Sequence, residues 1–332
     1  MINCVDLFSG CGGMSLGFQN AGINIQAAFE NWERAVKVYN ANFDHPCHST
    51  DLSDEENTIN LISKYQPNMI IGGPPCQDFS SAGKRDETLG RADLTYHFAN
   101  IVDRCRPDWF VMENVERIKK STILQNICGQ LEDAGYGLTA VILDASLCGV
   151  PQTRKRFFLI GRLGGVHNEL NSVLSRNLAK KRMSIRDYLG DDLNLQYYYR
   201  HPRNYSRRGI FSIDEPSPTI RGVNRPVPPN YVKHPGDPKK LNLEKLRPLT
   251  TVERSYLQTF PKSFVLDGTK TDLEQMLGNA VPVNLATFVA RSIIEFIADD
   301  SESPQDFTNQ QGVLFDNLSF NIPNRTLRKI ND

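Results

Sequence analysis

Residues 67–80, PNMIIGGPPCQDFS, combine a short apolar run with two glycines, two prolines and a cysteine. The apolar run is typical of a buried parallel strand, so Cys76 is predicted to lie just past a strand's carboxyl end. Ligands bind at that edge in open α/β sheets. The glycines permit a sharp turn and the prolines fix φ, so the thiol is held on a rigid corner, as a nucleophile requires. A lone cysteine is also compatible with a small buried apolar residue, so the choice depends on the other motifs.

The N-terminal segment has the pattern of a nucleotide-type site. Residues 3–8 (NCVDLF) predict a strand, and residues 9–18 (SGCGGMSLGF) predict a glycine-rich turn and a helix start. The spacing is not G-x-G-x-x-G, which favours a smaller adenosine-bearing cofactor over a dinucleotide. Glu30 ends the next predicted strand and is placed to accept from ribose hydroxyls. Asp51, in a third loop, could accept from an adenine amino group or cap a helix.

Two further motifs carry charged side chains to the same region. Glu113 follows the apolar run 109–112, so it is predicted at the same sheet edge as Cys76. In an apolar setting its pKa would be raised, which suits a general acid, although a capping or surface glutamate fits the pattern too. Arg154 and Arg156 alternate with period two in a predicted strand, so they share one face and could bind a carbonyl and a phosphate.

Composition limits the classes of protein. The chain has 332 residues, enough for one large domain and a smaller one. No apolar run reaches the roughly 18 residues of a membrane span, and the N-terminus enters a strand without a signal peptide, so we expect a soluble cytoplasmic protein and no membrane partner. The 7 cysteines form no C-x-x-C pair and the histidines lack ligand spacing. A disulfide framework and a metal site are therefore not expected.

The charge is segregated although the total is zero. Residues 150–262 contain 22 lysines and arginines against 9 aspartates and glutamates, an excess of 13 positive charges balanced by the rest of the chain. Such an asymmetry indicates a polyanionic partner, against the alternative of a solvated charged surface. The arginine-rich loops 200–208 and 216–226 are suited to phosphates and base edges. Their candidate DNA-binding residues are Arg207, Arg208, Arg221 and Arg225.

The last third of the chain predicts two helices. Residues 247–254 start one, with a threonine cap near Glu253, and residues 283–297 carry apolar positions at helical spacing. The tail after Asp299 is polar.

Taken together, the motifs resemble the DNA (cytosine-5)-methyltransferases of bacterial restriction–modification systems. The resemblance extends from Cys4 to about Ala298 and depends on the joint order of the motifs, since each one alone is weak. It includes Q-T-R-K-R (152–156), residues 247–261 and G-N-A-V-P (278–282). In this family the variable stretch between the arginine motif and the Arg247 motif recognises the target, and here that stretch is the basic region.

The resemblance implies a mechanism for double-stranded DNA. A target cytosine is flipped out of the duplex, the Cys76 thiolate adds to C6, and Glu113 holds or protonates N3. Arg156 holds O2, and Arg154 supplies positive potential for the thiolate and a phosphate. A methyl group passes from S-adenosylmethionine to C5, and loss of the C5 proton releases Cys76.

The resemblance also implies the binding residues. Phe8, Gly10 and Gly12 surround the methionine part of the cofactor, Glu30 binds the ribose, and Asp51 with Leu52 contacts adenine. Either Asn31 or Trp32 faces adenine as well. Pro75, Asn279 and Val281 complete the cofactor site, and Ser80 joins the DNA-binding residues.

The implied fold is an α/β S-adenosylmethionine-dependent (Rossmann-like) doubly wound sheet with a smaller, mostly irregular and β target-recognition domain. We expect residues 1–180 to form the catalytic and cofactor domain, 181–268 the recognition domain, 269–300 a helix returning to the first domain, and 301–332 a polar tail. A monomer is expected, linked functionally to a cognate restriction endonuclease.

Three alternatives are weaker. A tRNA cytosine-5 methyltransferase on the same scaffold would carry a Cys-Phe-Thr motif in the variable stretch, but no cysteine follows Cys148. A catalytically silent DNA-binding module would leave the intact set of Cys76, Glu113 and Arg156 to coincidence. A thiol hydrolase would need a histidine motif and would leave the glycine loop unexplained.

Overall fold

The computed structural model describes residues 1–75, 93–204, 207–238 and 246–302. Its strands are β1 (Asn3–Leu7), β2 (Asn24–Glu30), β3 (Cys47–Ser49), β4 (Met69–Gly72), β5 (Trp109–Val115), β6 (Tyr136–Asp144), β7 (Gln152–Thr153), β8 (Lys155–Leu163), β9 (Tyr197–Tyr199), β10 (Ile210–Ser212) and β11 (Ser217–Pro218). Its α-helices are α1 (Gly13–Asn20), α2 (Glu33–Asn40), α3 (Glu55–Ile62), α4 (Asp93–Cys105), α5 (Thr122–Asp133), α6 (Asn171–Arg176), α7 (Ile185–Leu189), α8 (Thr251–Leu257), α9 (Lys270–Asn279) and α10 (Val283–Glu302).

One mixed sheet organises the described residues. Its strand order is β3-β2-β1-β4-β5-β8-β6. The strands from β3 to β5 pair in parallel, whereas β8 runs antiparallel to both β5 and β6. The connection from β6 to β8 is a short loop and not a crossover helix, and a short return can only reverse the strand direction. The predicted doubly wound α/β fold is confirmed. Within its sheet β8, next to the edge strand β6, runs opposite to its neighbours.

Helices cover both faces of the sheet because its strands are apolar on both sides. In β5, Trp109 and Val111 face a core cluster that includes residues of α1 and α10. Phe110 and Met112 face the opposite cluster, formed with α3, α4 and α5. This alternation follows from the period of two in a strand and explains the continuous apolar run in the sequence.

The carboxyl ends of β1, β4 and β5 meet at one edge, because the three strands are parallel neighbours. The turn after β1 contains Phe8, Gly10 and Gly12 with positive φ angles of 57°, 55° and 92°. Glycine adopts this conformation without strain, whereas Phe8 is an unusual residue to do so. The edge therefore carries a compact turn, as the glycine-rich sequence predicts.

Residues 177–262 contain short elements around their own small core. β9 and β10 form an antiparallel pair, and β11 pairs in parallel with β7. Ile185, Tyr198, Ile213 and Leu257 are among the buried residues of this cluster. Helix α8 begins after Thr250, whose side chain forms a capping box with Glu253 as predicted. The division of the chain at residues 180, 268 and 300 stays a prediction, and residues 303–332 lie outside the described part.

Helix α10 is unusually long and apolar for this protein. The helical stretch Lys270–Asp300 would be long and apolar enough to cross a membrane, with a mean hydropathy of 1.5 over its most apolar window. Within the protein, however, 61% of that window is buried. Leu285, Val289 and Ile293 are fully buried in the cluster shared with α1. The packing of the sheet thus accounts for the apolar face of α10.

Candidate active site

A cleft of about 1460 Å³ opens at the carboxyl edge of the sheet. One side is formed by the ends of β1, β2, β4 and β5, and the other by residues 201–225 and 275–281. Most residues predicted from the sequence line it: Phe8, Gly10, Glu30, Asn31, Asp51, Leu52, Pro75, Glu113, Arg154, Arg156, Arg221, Arg225, Asn279 and Val281. Cys76 and Ser80 lie outside the described residues.

The loop that leads to Cys76 lies against Glu113. The side chain of Asn114 donates from Nδ2 to the carbonyl oxygen of Pro74 over 3.3 Å. A Cβ atom on Gly73 would be only 3.2 Å from Oε2 of Glu113, so the backbone approaches the carboxyl group closely. A side chain at this position would therefore press against the carboxyl group of Glu113.

Glu113 is a buried acid beside a buried cation. Its Oε1 lies 2.7 Å from Nε of Arg156, and both side chains are about nine-tenths covered. The two atoms form an ion pair without the alignment of a directed hydrogen bond. Burial raises the pKa of Glu113 above its usual range, and the nearby guanidinium groups of Arg156 and Arg154 only partly offset that rise. The expected raised pKa of Glu113 is therefore found, and its cause is desolvation.

Arg154 is held by backbone carbonyl groups of the protein itself. It is fully buried, and its terminal nitrogens donate to the carbonyl oxygens of Ile220, Gly278 and Ala280, each over 3.0 Å. The terminal nitrogens thus have protein acceptors, whereas Nε is buried without one, and the role of Arg154 toward a phosphate stays a prediction. Arg154 acts on the site by holding backbone in place and through its charge near Glu113.

Glu30 is fixed at the end of β2 by two backbone amides. Its Oε2 accepts from the amide of Gly10 over 2.9 Å, and its Oε1 accepts from that of Trp32 over 2.8 Å. Each carboxylate oxygen has a further lone pair that can accept a hydrogen bond from a ligand. The glycine-rich turn and the acid therefore form one unit, which the sequence suggested by proximity alone.

The residues expected near adenine differ in exposure. Asp51 is exposed, and its Oδ1 accepts from the amide and hydroxyl of Ser53, which lowers the pKa of the carboxyl group. Leu52 is buried in the core. Asn31 is exposed, whereas Trp32 packs partly buried against a neighbouring cluster. Both Asn31 and Trp32 line the cleft, so either side chain can reach a ligand.

Gly12 is absent from the residues that line the cleft. It precedes α1 with a φ of 92°, and a Cβ atom there would be 2.4 Å from Cε2 of Phe43. Glycine is thus required here by the packing of Phe43 and by the left-handed turn, and the contact of Gly12 with the methionine part of a cofactor stays a prediction.

Asp6 is a cleft residue that the sequence analysis did not single out. It is 1% exposed in the middle of β1, and burial raises its pKa to about 7. Its Oδ2 accepts from Ser15 Oγ over 2.5 Å, and Tyr39 links Ser15 to His45 through contacts of 2.7 Å each. The other oxygen, Oδ1, is buried without a partner. An acid within the otherwise apolar run of β1 was the signal that could have identified it.

The arginines of the recognition segment fall into two groups. Arg203, Arg221 and Arg225 line the cleft, and the pKa of Arg221 is lowered by burial and by its two charged neighbours. Arg207 and Arg208 are not among the cleft-lining residues. Arg208 lies 2.6 Å from Glu215 and 4.2 Å from the ring centroid of Phe211, so it also stabilises the local fold.

Ion pairs reduce the charge that the basic segment offers to a partner. Several of its cations pair with acids of the same segment or of other elements: Arg162 with Glu169, Arg176 with Glu295, Arg182 with Asp144, Arg186 with Asp214, Arg247 with Glu253 and Lys262 with Asp192. The acids at 169, 192, 214 and 253 are already subtracted in the excess of 13 positive charges, so it is the pairs of Arg176 and Arg182 with acids outside the segment that reduce this excess.

Comparisons with known proteins show the family of the chain. A family model described as C-5 cytosine-specific DNA methylase matches residues 2–295. The chain is 68% identical over 295 residues to the Type II methyltransferase M.HindV of Haemophilus influenzae, covering 89% of this chain and 97% of that protein. It is 57% identical over 293 residues to the Type II methyltransferase M.HgiDI of Herpetosiphon aurantiacus, covering 88% and 94%.

Solved structures agree with the fold. The S. pombe Dnmt2 methyltransferase superposes with a TM-score of 0.66 at 18% identity and covers 89% of this chain and 99% of that one. The Entamoeba histolytica methyltransferase EhMeth superposes with a TM-score of 0.64 at 22% identity and covers 91% and 99%.

Proposed function

Because the chain belongs to the C-5 cytosine-specific DNA methylase family and methylates cytosine at C5 in DNA, we propose that Cys76, Glu113 and Arg156 carry out the reaction. The contact between Glu113, Arg156 and the loop leading to Cys76 is the observation that supports this assignment most strongly. The tRNA alternative is not favoured, given the 68% identity to a Type II methyltransferase.

The residues of the cleft fit S-adenosylmethionine. Gly10 has no atom within 4 Å of a Cβ position, which leaves open space beside the turn. Glu30 presents carboxylate oxygens suited to ribose hydroxyls. The buried Oδ1 of Asp6 has no hydrogen-bond donor in the protein, and a cationic ligand could supply one. We assign Phe8, Gly10, Glu30, Asn279 and Val281 to this ligand. Asn31, Asp51, Leu52 and Pro75 complete the set. When bound, S-adenosylmethionine supplies an electrophilic methyl group.

The chain's own residues activate the cytosine. The Cys76 sulfur forms a bond to C6, and electron density moves toward C5 and N3. Glu113 provides the proton or hydrogen bond at N3, a role that suits a carboxyl group whose pKa is raised by burial. Arg156 holds O2 from the other side of Glu113. After C5 carries its methyl group, the C5 proton passes to water, and the electron pair of that C–H bond re-forms the double bond between C5 and C6. The sulfur leaves C6 as the thiolate while the proton on N3 returns to Glu113.

We further propose that the enzyme recognises a short duplex sequence and protects DNA from a cognate restriction endonuclease. Arg221 and Arg225 face the cleft and are suited to phosphates or guanine edges. Ser80, Arg207 and Arg208 are additional candidates for DNA contacts. A cytoplasmic monomer accords with action on chromosomal DNA.

Nucleoside analysis of DNA from cells that express the protein tests this function. We expect 5-methylcytosine within one short sequence context in cells with the wild-type chain and none with Cys76→Ser. Methylation that persists in Cys76→Ser, or that is found on adenine, would reject the proposal.

A further inference from the structure

Two glycines bring the proposed DNA side and the proposed cofactor side of the cleft into backbone contact. Gly278 is at the end of α9, one residue before Asn279, and Gly222 follows Arg221. A Cβ atom on Gly278 would lie 2.2 Å from the backbone nitrogen of Gly222 and 2.6 Å from its Cα. Such distances are impossible for a real side chain, so the two loops can touch only because position 278 is glycine.

Arg154 joins the same two loops from the opposite side. Its Nη1 donates to the carbonyl oxygen of Ile220, and its Nη2 donates to those of Gly278 and Ala280. A fully buried guanidinium with these acceptors is rigid, because movement of either loop would leave a buried donor or carbonyl unpaired.

Two glutamines extend the connection. Gln152 Oε1 accepts from the amide of Ile220 over 2.8 Å, and its Nε2 donates to Gln258 Oε1 over 2.7 Å. Gln258 in turn donates to the carbonyl oxygens of Leu277 and Ala280. Both glutamine side chains are fully buried, and their hydrogen bonds link the segment before Arg221 to the segment around Asn279.

We propose that Arg154 and the contact between Gly222 and Gly278 couple cofactor binding to DNA binding, with Arg154 as a positioning residue. This inference rests on the proposed function, in which Asn279 and Val281 bind S-adenosylmethionine and Arg221 and Arg225 bind DNA. A ligand that orders residues 279–281 also orders Ile220 and Gly222, and hence the backbone that carries Arg221. Coupling of this kind is reciprocal, so DNA tightens cofactor binding by the same factor.

The test compares two glycine substitutions in the full-length protein. Gly278→Ala places a methyl group against the backbone of Gly222 and must separate the loops. Gly129→Ala is the matched control, since Gly129 lies in α5, away from both segments, and its Cβ would have no atom within 4 Å. Binding is measured by fluorescence anisotropy with a labelled duplex around a cytosine that the wild-type protein methylates, with and without S-adenosylhomocysteine. Titration calorimetry gives the reciprocal affinities.

For the wild-type protein and Gly129→Ala we expect S-adenosylhomocysteine to tighten DNA binding at least about fivefold, the lower end of typical couplings. In Gly278→Ala the ratio of the DNA affinities with and without S-adenosylhomocysteine should fall below about twofold. S-adenosylhomocysteine alone should still bind within about threefold of the wild-type affinity, because the substitution changes the coupling and leaves the cofactor site in place. Arg154→Lys, which keeps the charge but cannot reach three carbonyls, should lose the coupling too and replaces Gly278→Ala if that variant does not fold.

Two results would overturn the inference and leave the function intact. One is tight binding of both ligands to the wild-type protein with no effect of either on the other. The other is unchanged coupling in Gly278→Ala and Arg154→Lys. If the wild-type protein bound neither S-adenosylhomocysteine nor the duplex, the proposed function itself would be rejected, and this inference with it.

Discussion

Nε of Arg156 lies 2.7 Å from Oε1 of Glu113 at the carboxyl edge of the sheet. The pair is buried, so both charged forms are desolvated, and the pKa of Glu113 rises while that of Arg156 falls. Because the contact uses Oε1, the other oxygen of Glu113 is directed toward Gly73 and the loop that continues to Cys76. This arrangement places an acid with a raised pKa against Gly73, three residues before the proposed nucleophile in the sequence.

Replacing Glu113 by glutamine removes the transferable proton and keeps the shape. We expect Glu113→Gln to slow methyl transfer in a single turnover by roughly 10²-fold or more. Binding of the duplex and of S-adenosylhomocysteine should change little. Normal chemistry with lost S-adenosylhomocysteine binding would mean that Glu113 belongs to the cofactor site.

Asp6 should make stability depend on pH. Its pKa is about 7 in the folded protein, against about 4 in an unfolded chain. The folded state therefore holds a proton that the unfolded state has lost, and Asp6 lowers the free energy of unfolding as pH rises from about 4 to 7, by up to about 4 kcal/mol. Asp6→Asn should remove this decline in urea unfolding measured across that range.

Asp51→Asn is the control of opposite sign. The pKa of Asp51 is lowered by its hydrogen bonds from Ser53, so its ionised form stabilises the fold above the unfolded pKa and that contribution is lost as the pH falls. Asp51→Asn should therefore cost stability at neutral pH and nothing in acid. Parallel pH profiles for both variants would refute the assignment of Asp6.

Arg154 should be a determinant of stability. Arg154→Met leaves the carbonyl oxygens of Ile220, Gly278 and Ala280 without their donors, and we expect the free energy of unfolding to fall by roughly 3 kcal/mol or more. Arg207→Met, at an exposed position, should change it by less than about 0.5 kcal/mol. Equal stabilities in urea unfolding would favour a ligand-binding role for Arg154 instead.

The salt dependence of DNA affinity should report which arginines meet phosphate. Arg225→Gln should reduce the slope of log affinity against log salt by about one. We expect the same for Arg207→Gln, if the DNA extends beyond the cleft. Arg186→Gln is the control, because Arg186 pairs with Asp191 and Asp214. An unchanged slope in Arg225→Gln would show that the basic cleft wall is not the DNA face.

The sequence predicted the elements at the sheet edge well, because strand ends, glycines and apolar runs are local signals. Glu30 and the Thr250 cap are found at the predicted strand and helix ends, whereas Glu113 lies within the last three residues of β5, which runs on to Val115. The direction of β8 was not predicted, since it depends on which strand β8 pairs with. The acceptors of Arg154 also escaped prediction, because Ile220 and Gly278 are distant in sequence and their carbonyl groups carry no residue-specific signal.

Charge was the least reliable guide. Counting residues in the segment 150–262 cannot reveal that Arg176 pairs with Glu295 or Arg182 with Asp144. Both acids belong to elements outside the segment: Asp144 ends β6, and Glu295 lies in α10. Only the fold separates cations that stabilise the protein from those that face the cleft.

Most described cysteines are unreactive on physical grounds. Burial raises the pKa of Cys11, Cys47 and Cys128 to about 12 and that of Cys105 to about 11. Their thiols are protonated at neutral pH, and the thiolate is the nucleophilic form. A covalent adduct with DNA is therefore not expected at these positions.

Covalent trapping with 5-fluorocytosine at the target position tests the account most directly. If Cys76 adds to C6 and is released only when the C5 substituent leaves, fluorine will stop the cycle after methyl transfer. The account predicts a protein–DNA band that survives denaturing electrophoresis, requires S-adenosylmethionine, maps to Cys76 and is absent from Cys76→Ser. An adduct at another cysteine, or none on a duplex that the enzyme methylates when it carries ordinary cytosine, would contradict it.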